Sequence, residues 1–406
     1  MALIRPATMF LPRPELAARL ACPPYDVVTT AEAQRLAQGN PLSFLRVVRA
    51  EIDLPEDTPL DDERVYRCAR ENFLSFIKAG WLYASAGPRL FLYRLQTAAH
   101  AQTGVVACCS VDEYDRGLIC KHENTRPDKE NDRVQHMLAL AAHAEAVLIA
   151  YRGRAEIAAL VAAECRAQPL LDFHADDGVQ HTLWQARQPE ALVQAFADVP
   201  RLYIADGHHR SAGASRVRSR LREHNAGHTG NEEYNFLPAT LFPEDQLRIL
   251  PYNRVLRGLS NWQPHEFLQQ LRRDFLLTGS AAPSPLRKGE ISLYVNGNWH
   301  GLTLKPATAA APTAGLDVTR LQEQILAPYF GIHDQRTDAR IDFVGGVRGV
   351  AALQQMVDSG AAQMAISMHA TSLEELLAVS DAGALMPPKS TWFEPKLRSG
   401  LFVHPF

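Results

Sequence analysis

The chain has 406 residues, of which 46% are hydrophobic and 21% charged, with a formal net charge of -3. That is the profile of a folded globular protein large enough for two domains, and it argues against disorder, a fibrous class and nucleic acid attracted by bulk charge. The opening MALIRPATMFLPRPEL lacks a continuous apolar core and no later run matches a membrane span, so a cytoplasmic protein without a membrane partner is expected. Six cysteines without a CxxC pair speak against structural zinc and a disulfide framework, and adjacent Cys108 and Cys109 read as small core residues.

In chain order, Pro23-Pro24-Tyr25-Asp26 reads as a rigid, exposed loop, with Tyr25 and Asp26 as candidate substrate contacts. Thr29 and Thr30 then offer an N-cap for the short helix AEAQRLAQG. A longer helix is expected over residues 63–78, strands at LFLYRLQT and GVVACCSV, and a helix from Asp128 through Ala144. AVLIAY reads as a buried strand, AEIAALVAAECRA as a helix, and LLDFHADDGVQHTLWQA as a hairpin turning at Asp176-Asp177-Gly178. RLYIADGHHRSAGASRVRSRLREH is a strand, a glycine turn and a helix. Arg216, Arg218, Arg220 and Arg222 spread around that helix as a solvated surface, with Arg216 kept as an outer contact.

After LRILPYNRVL, the Ser/Ala/Pro-rich GSAAPSP and the helix HEFLQQLRRDF suggest a division into domains 1–259 and 260–406. The second, smaller part reads as α/β. It has a hairpin turning at Asn296-Gly297, the helix VTRLQEQILAPYF, and the strands RIDFVGG and AAQMAISM, each followed by a helix.

The chemistry concentrates in three places. At Asp206-Gly207-His208-His209-Arg210 a strand ends, Gly207 permits a sharp turn, and the first amides of a helix lie beside two imidazoles and a guanidinium. Gly207, His208, His209 and Arg210 are therefore expected to hold phosphate, and Asp206 to bind Mg²⁺ or orient a histidine. Small Ala212, Gly213 and Ala214 would let a ligand or a neighbouring backbone approach. In the loop of Lys121, His122, Glu123, Asn124, Thr125 and Arg126, Glu123 is the candidate general base, and Lys121, His122 and Arg126 are cations for an anionic substrate. Lys389-Ser390-Thr391, bounded by prolines, can present an ammonium and two hydroxyls to the same kind of group. No GxxxxGK[ST], GxGxxG, HExxH or GxSxG context occurs.

PPYDVV, NPLSFLRV, KHENT, YIADGHHR, LPYNRV and MPPKSTWFEPK, in this order, resemble the prokaryotic family known as domain of unknown function 1015. Locally, strand-DGHHR-helix resembles the phosphate-binding motif of the ParB/sulfiredoxin superfamily, and of its free serine kinases in particular. That resemblance implies a mixed α/β fold with a ParB/sulfiredoxin-like core, and nucleotide phosphates held at Asp206 to Arg210. It also implies a separate carboxylate that activates a substrate hydroxyl. The chain departs from those kinases in placing Glu123 far upstream, and in carrying Ser211 where an aromatic residue is usual. The expected activity is phosphoryl transfer between ATP or ADP and a small hydroxylated metabolite such as serine or phosphoserine, with Asp206, His208, His209 and Glu123 catalytic. A phosphatase using the same cradle, and a nucleotide-binding regulator without turnover, are the alternatives.

Overall fold

The structure, a computed structural model, describes residues 3–406. The fold is mixed α/β, in two compact units. One comprises residues 3–121, Thr125–Leu247 and Pro395–Phe406, and the other His122–Asn124 and Arg248–Glu394. Among the described residues no helix is long and apolar enough to cross a membrane.

The first unit is built on a nine-stranded sheet. Its strands are β1 (Ile4–Arg5), β2 (Phe91–Gln96), β3 (Ala101–Ser110), β4 (Ile119–Cys120), β5 (Val147–Tyr151), β6 (Leu171–His174), β7 (Gln180–Gln185), β8 (Leu202–Asp206) and β9 (Phe236–Pro243). They run in the order β4-β8-β5-β9-β3-β2-β7-β6, with β1 added on β3. Only β8 with β4, and β5 with β9, are parallel along that path. Unlike the mostly parallel sheet of a doubly wound fold, β8 therefore has one neighbour of each direction.

The helices that matter here are α1 (Thr30–Ala37), α2 (Glu63–Lys78), α3 (Pro127–Leu140), α4 (Ala155–Glu164), α5 (Pro189–Ala197) and α6 (His208–Glu223). Thr29 and Glu32 close a capping box at the start of α1, as the Thr-x-x-Glu spacing predicts. One face of the sheet buries Val105, Ala107, Ile149, Ile204 and Leu241 against Ile157 of α4 and Leu192 and Phe196 of α5. A second core gathers Phe44, Phe73 and Phe76 with Leu140 and Val403. Burying each such side chain contributes on the order of 1.5–3 kcal/mol, which is what fixes the positions of α2 and α3.

Helix α3 stops earlier than its periodicity suggests. Ala141 takes φ 50, a left-handed cap formed without glycine, and residues 142–143 leave the helix to pair with His404 and Pro405. Helix α6 packs on α3 through Val134, Met137 and Val217. Gly213 permits this, because a Cβ there would lie 3.3 Å from Arg133 Cβ and 3.4 Å from Met137 Cε. The neighbour that its small size admits is thus helix α3.

The second unit has a six-stranded sheet, antiparallel throughout, of β10 (Tyr252–Leu256), β11 (Leu276–Gly279), β12 (Glu290–Val295), β13 (Asn298–Thr303), β14 (Ile341–Gly345) and β15 (Met364–Met368). The order is β11-β13-β12-β15-β10-β14. LPYNRVL therefore belongs with this unit. The β12–β13 hairpin turns at Asn296 (φ 51) and Gly297 (φ 77), the two left-handed residues that a tight Asn-Gly turn needs. Helices α7 (Pro264–Asp274), α8 (Gly349–Asp358) and α9 (Leu373–Asp381) follow the expected pattern, and Leu353 of α8 packs on Val255, Tyr294 and Trp299. The single helix expected over VTRLQEQILAPYF is instead α-helical at both ends and widened to a π-helical turn at Gln322–Leu326. Pro328, which has no N–H to give the ladder, stands just beyond that turn.

Candidate active site

The most elaborate polar cluster in the first unit surrounds the junction of β8 and α6. A register shift between Ile204 and Asp206 bends the end of β8. Gly207 comes next at φ 108, a backbone region that a side chain enters only with strain. The same glycine makes room for Arg210, since a Cβ there would sit 3.2 Å from both Cζ and Nε of its guanidinium. Ser211 N–H closes the first bond of the helical ladder on Gly207 O at 3.0 Å, so the amides before it point out of the helix end. The first turn carries no acidic residue and no side chain caps it.

Asp206 organises two cations. Its Oδ1 accepts from Lys396 Nζ at 2.7 Å and its Oδ2 from Arg210 at 2.7 Å. Burial pushes the Asp206 carboxyl up, but the Lys396 ammonium and the Arg210 guanidinium outweigh it and hold the group well below the usual carboxylate range. Arg210 is 5% exposed, donates also to Ala146 O at 2.5 Å, and lies 4.0 Å from Asp26. Sequence reasoning expected Arg210 to grip phosphate directly. The structure turns it inward, where it positions Asp206. Asp206 was likewise expected to hold Mg²⁺. Both of its oxygens are engaged by cations, so the residue does not suit a divalent ion and no step is assigned to one.

Behind this pair lies a second layer. Glu145 accepts from Tyr25 N–H at 3.2 Å and from the Ser399 hydroxyl at 2.5 Å, and its other oxygen is 3.9 Å from Arg133. Arg133 also pairs with Asp132 at 2.7 Å and lies over the Tyr25 ring with Cζ 3.8 Å from its centre. Tyr25 is therefore 7% exposed and not part of an exposed loop, and burial drives its phenol pKa upward. Asp26 beside it remains exposed. His209 Nε2 accepts from the Arg126 amide at 3.1 Å, which places the proton of the neutral ring on Nδ1 and ties the start of α6 to the start of α3. His208 is buried.

The other expected residues have different surroundings. Arg126 is exposed and paired with Asp128 at 2.9 Å, and the Lys121 ammonium lies 4.6 Å from the Tyr114 ring centre. Arg216 is engaged by Glu130 at 3.4 Å and Asn131 at 2.7 Å. His122 and Glu123 group with the second unit, as do Lys389, Ser390 and Thr391. There the Met386 amide donates to His122 O at 2.8 Å, and Thr391 Oγ1 is 3.5 Å from His122 Nε2.

Sequence reasoning missed Lys396 and Glu145. Glu145 left a signal: it is a lone carboxylate directly ahead of the apolar AVLIAY, where burial demands a partner. Lys396 left only its place in MPPKSTWFEPK, where Lys389 drew the attention instead.

Among solved structures, a free serine kinase in complex with AMP aligns at a TM-score of 0.35 and 12% identity, over 71% of this chain and 86% of that chain. SbnI with C-terminal truncation from Staphylococcus aureus aligns at 0.39 and 15%, over 74% and 87%. At TM-scores this low neither likeness carries an argument about function. Among curated proteins none matches the chain. The family model described as protein of unknown function (DUF1015) matches residues 4–319, and with well over half of its length covered the chain belongs to the DUF1015 family.

Proposed function

We propose that this protein is a phosphotransferase. It would hold the phosphates of ATP or ADP at the start of α6 and pass a phosphoryl group to or from a small hydroxylated metabolite, serine being the first to try. The observation that supports this best is the Lys396–Asp206–Arg210 arrangement at an uncapped helix start, an ammonium fixed in place beside outward-pointing amides. In this reading the amides of the Gly207 turn and the Lys396 ammonium meet phosphate oxygens, and His208 and His209 add hydrogen bonds. Asp206 and Arg210 are positioning residues that keep Lys396 aimed. Phosphoryl transfer asks chiefly for such preset electrostatics, because charge spreads over the equatorial oxygens in the transition state.

The test is incubation of the purified chain with ATP or ADP and serine, with and without divalent cations, following phosphoserine and nucleotide conversion. K396M should weaken nucleotide binding. Absence of both nucleotide binding and turnover would sink the reading. Phosphate release from phosphoserine without nucleotide would favour a phosphatase, and tight nucleotide binding without turnover a regulator.

A further inference from the structure

The second unit contains an arginine that has no part in the proposed phosphoryl transfer. Arg254 lies in β10, a central strand, in register with Phe343 of β14 and Ile366 of β15. Its neighbour Val255 packs toward α8, so strand alternation sends Arg254 to the opposite face, where it is completely buried. Among the described residues no carboxylate pairs with it. The guanidinium instead donates to three neutral oxygens: Gln335 Oε1 at 3.4 Å, Lys389 O at 3.2 Å and Tyr252 O. Burial without a counter-charge pushes its pKa down to about 10.

A buried cation of this kind is costly, and an apolar side chain of similar volume would pack a sheet interior at least as well. Its presence points to something that needs positive charge at this place. What it touches is the loop of residues 387–391. Lys389 there adopts φ 55, a conformation uncommon for a residue with a long side chain. The bond from Arg254 to Lys389 O holds that conformation and polarises the peptide that carries the Ser390 amide. The loop is pinned further by Ser390 Oγ donating to Pro387 O at 2.6 Å and Thr371 Oγ1 donating to Ser390 O at 3.0 Å. Ser390 is buried, Lys389 exposed and Thr391 half-buried. The Lys389 ammonium lies 5.6 Å from the Tyr252 ring centre.

We propose that the second unit carries an anion site of its own, formed by Lys389 and Thr391 on the 387–391 loop and positioned by Arg254 beneath it. It takes the carboxylate or phosphate of a small metabolite. Lys389 is the contacting cation and Thr391 a hydroxyl donor. Arg254 supplies background positive potential and fixes the left-handed turn. The site stands whether or not the first unit transfers phosphate.

The test uses the full chain carrying K396M, which removes the ammonium of the first unit's site. Inorganic phosphate and malonate are titrated separately, by calorimetry and thermal shift, so that the two chemistries are told apart. One of the anions should bind and raise the melting temperature. K389N, chosen because asparagine tolerates the left-handed backbone, should then weaken binding about tenfold by removing one charge-assisted contact. R254M should weaken it similarly, because the turn that presents Lys389 loses the bond to Lys389 O and the positive potential beneath it. The proposal is overturned if neither anion binds the K396M chain, or if K389N binds it undiminished. An R254M chain that binds the anion undiminished overturns the positioning role of Arg254; if that chain does not fold, K389N alone decides the site.

Discussion

The Asp206–Lys396 pair can be measured by a double-mutant cycle of D206N, K396M and their combination. At the 2.7 Å separation, an effective dielectric of about 20 gives a gross attraction of about 6 kcal/mol. The side chains of Lys396 and Asp206 are only 14% and 24% exposed, so much of that offsets the cost of removing both charges from water. Charge-assisted hydrogen bonds retain about 1.5–3 kcal/mol, and a coupling of about 2 kcal/mol is the expectation. K396M alone should cost about 2 kcal/mol. D206N should cost more, about 3–5 kcal/mol, because it strands Arg210 and Lys396 together. Removing Lys396 from the D206N chain should then cost almost nothing, since it relieves a stranded cation. The assay is urea unfolding at neutral pH. The sign with pH is set by the lowered Asp206 pKa. Its contribution is complete above the unfolded value of about 3.9 and is lost as pH falls through the folded value; in K396M, whose folded value lies nearer the unfolded one, the loss is smaller and ends at higher pH. A coupling below about 0.5 kcal/mol would refute the reasoning, since it is what a solvent-screened surface pair gives.

Gly207→Ala should destabilise by roughly 1–3 kcal/mol through the φ of 108 and the 3.2 Å approach to Arg210, and should weaken anion binding beyond that loss, as thermal shift with phosphate would show. An unchanged phosphate response would separate the turn from the site. Burial holds His143 and His181 down at about 3, with His404 and Arg398 respectively adding repulsion. The unfolded chain takes up these protons near 6.5 and the folded one does not, so stability falls as pH drops from about 6.5 toward 3, each histidine adding up to about 1.4 kcal/mol per pH unit. H143L should flatten that slope by one proton's worth in urea titrations across the range; an unaltered slope would contradict the burial argument. S372A removes the capping box that Ser372 forms with Glu375 at the start of α9, and should cost about 1 kcal/mol in the unfolding of the second unit. A null effect by the same titration would show that packing of α9 alone sets its stability.

Local features were legible because they rest on local physics. Asp-Gly after an apolar run reads as strand, turn and helix, and Asn296-Gly297 as a tight hairpin, because few residues accept left-handed backbone. Ala141 escaped for the same reason, being left-handed without any residue type to announce it. The site's charges were legible as a set but not as partners. Arg210 looked like a ligand contact because its inward path depends on the Ala146 carbonyl and Asp26, both far away in sequence. Tyr25 looked exposed because nothing in PPYDVV reveals Arg133 above its ring.

Lys396 shows why sequence distance matters most at this site. It lies 190 residues beyond Asp206, in a segment of the first unit that follows the whole of the second unit in sequence. That segment is fastened along its length: Ser399 to Glu145 and Cys22, Val403 to Phe10, and His404 to Glu233 at 2.8 Å. Gly400, at φ 86, lets it pass where a Cβ would lie 2.7–2.8 Å from Leu20 and Phe44. An ammonium on a flexible surface tail would spend its binding energy on ordering itself. Held by these contacts, Lys396 is preset against Asp206 before any anion arrives. A carboxylate that already binds two cations gains little from a third. That is the physical reason for reading Asp206 as a positioning residue and not as a metal ligand.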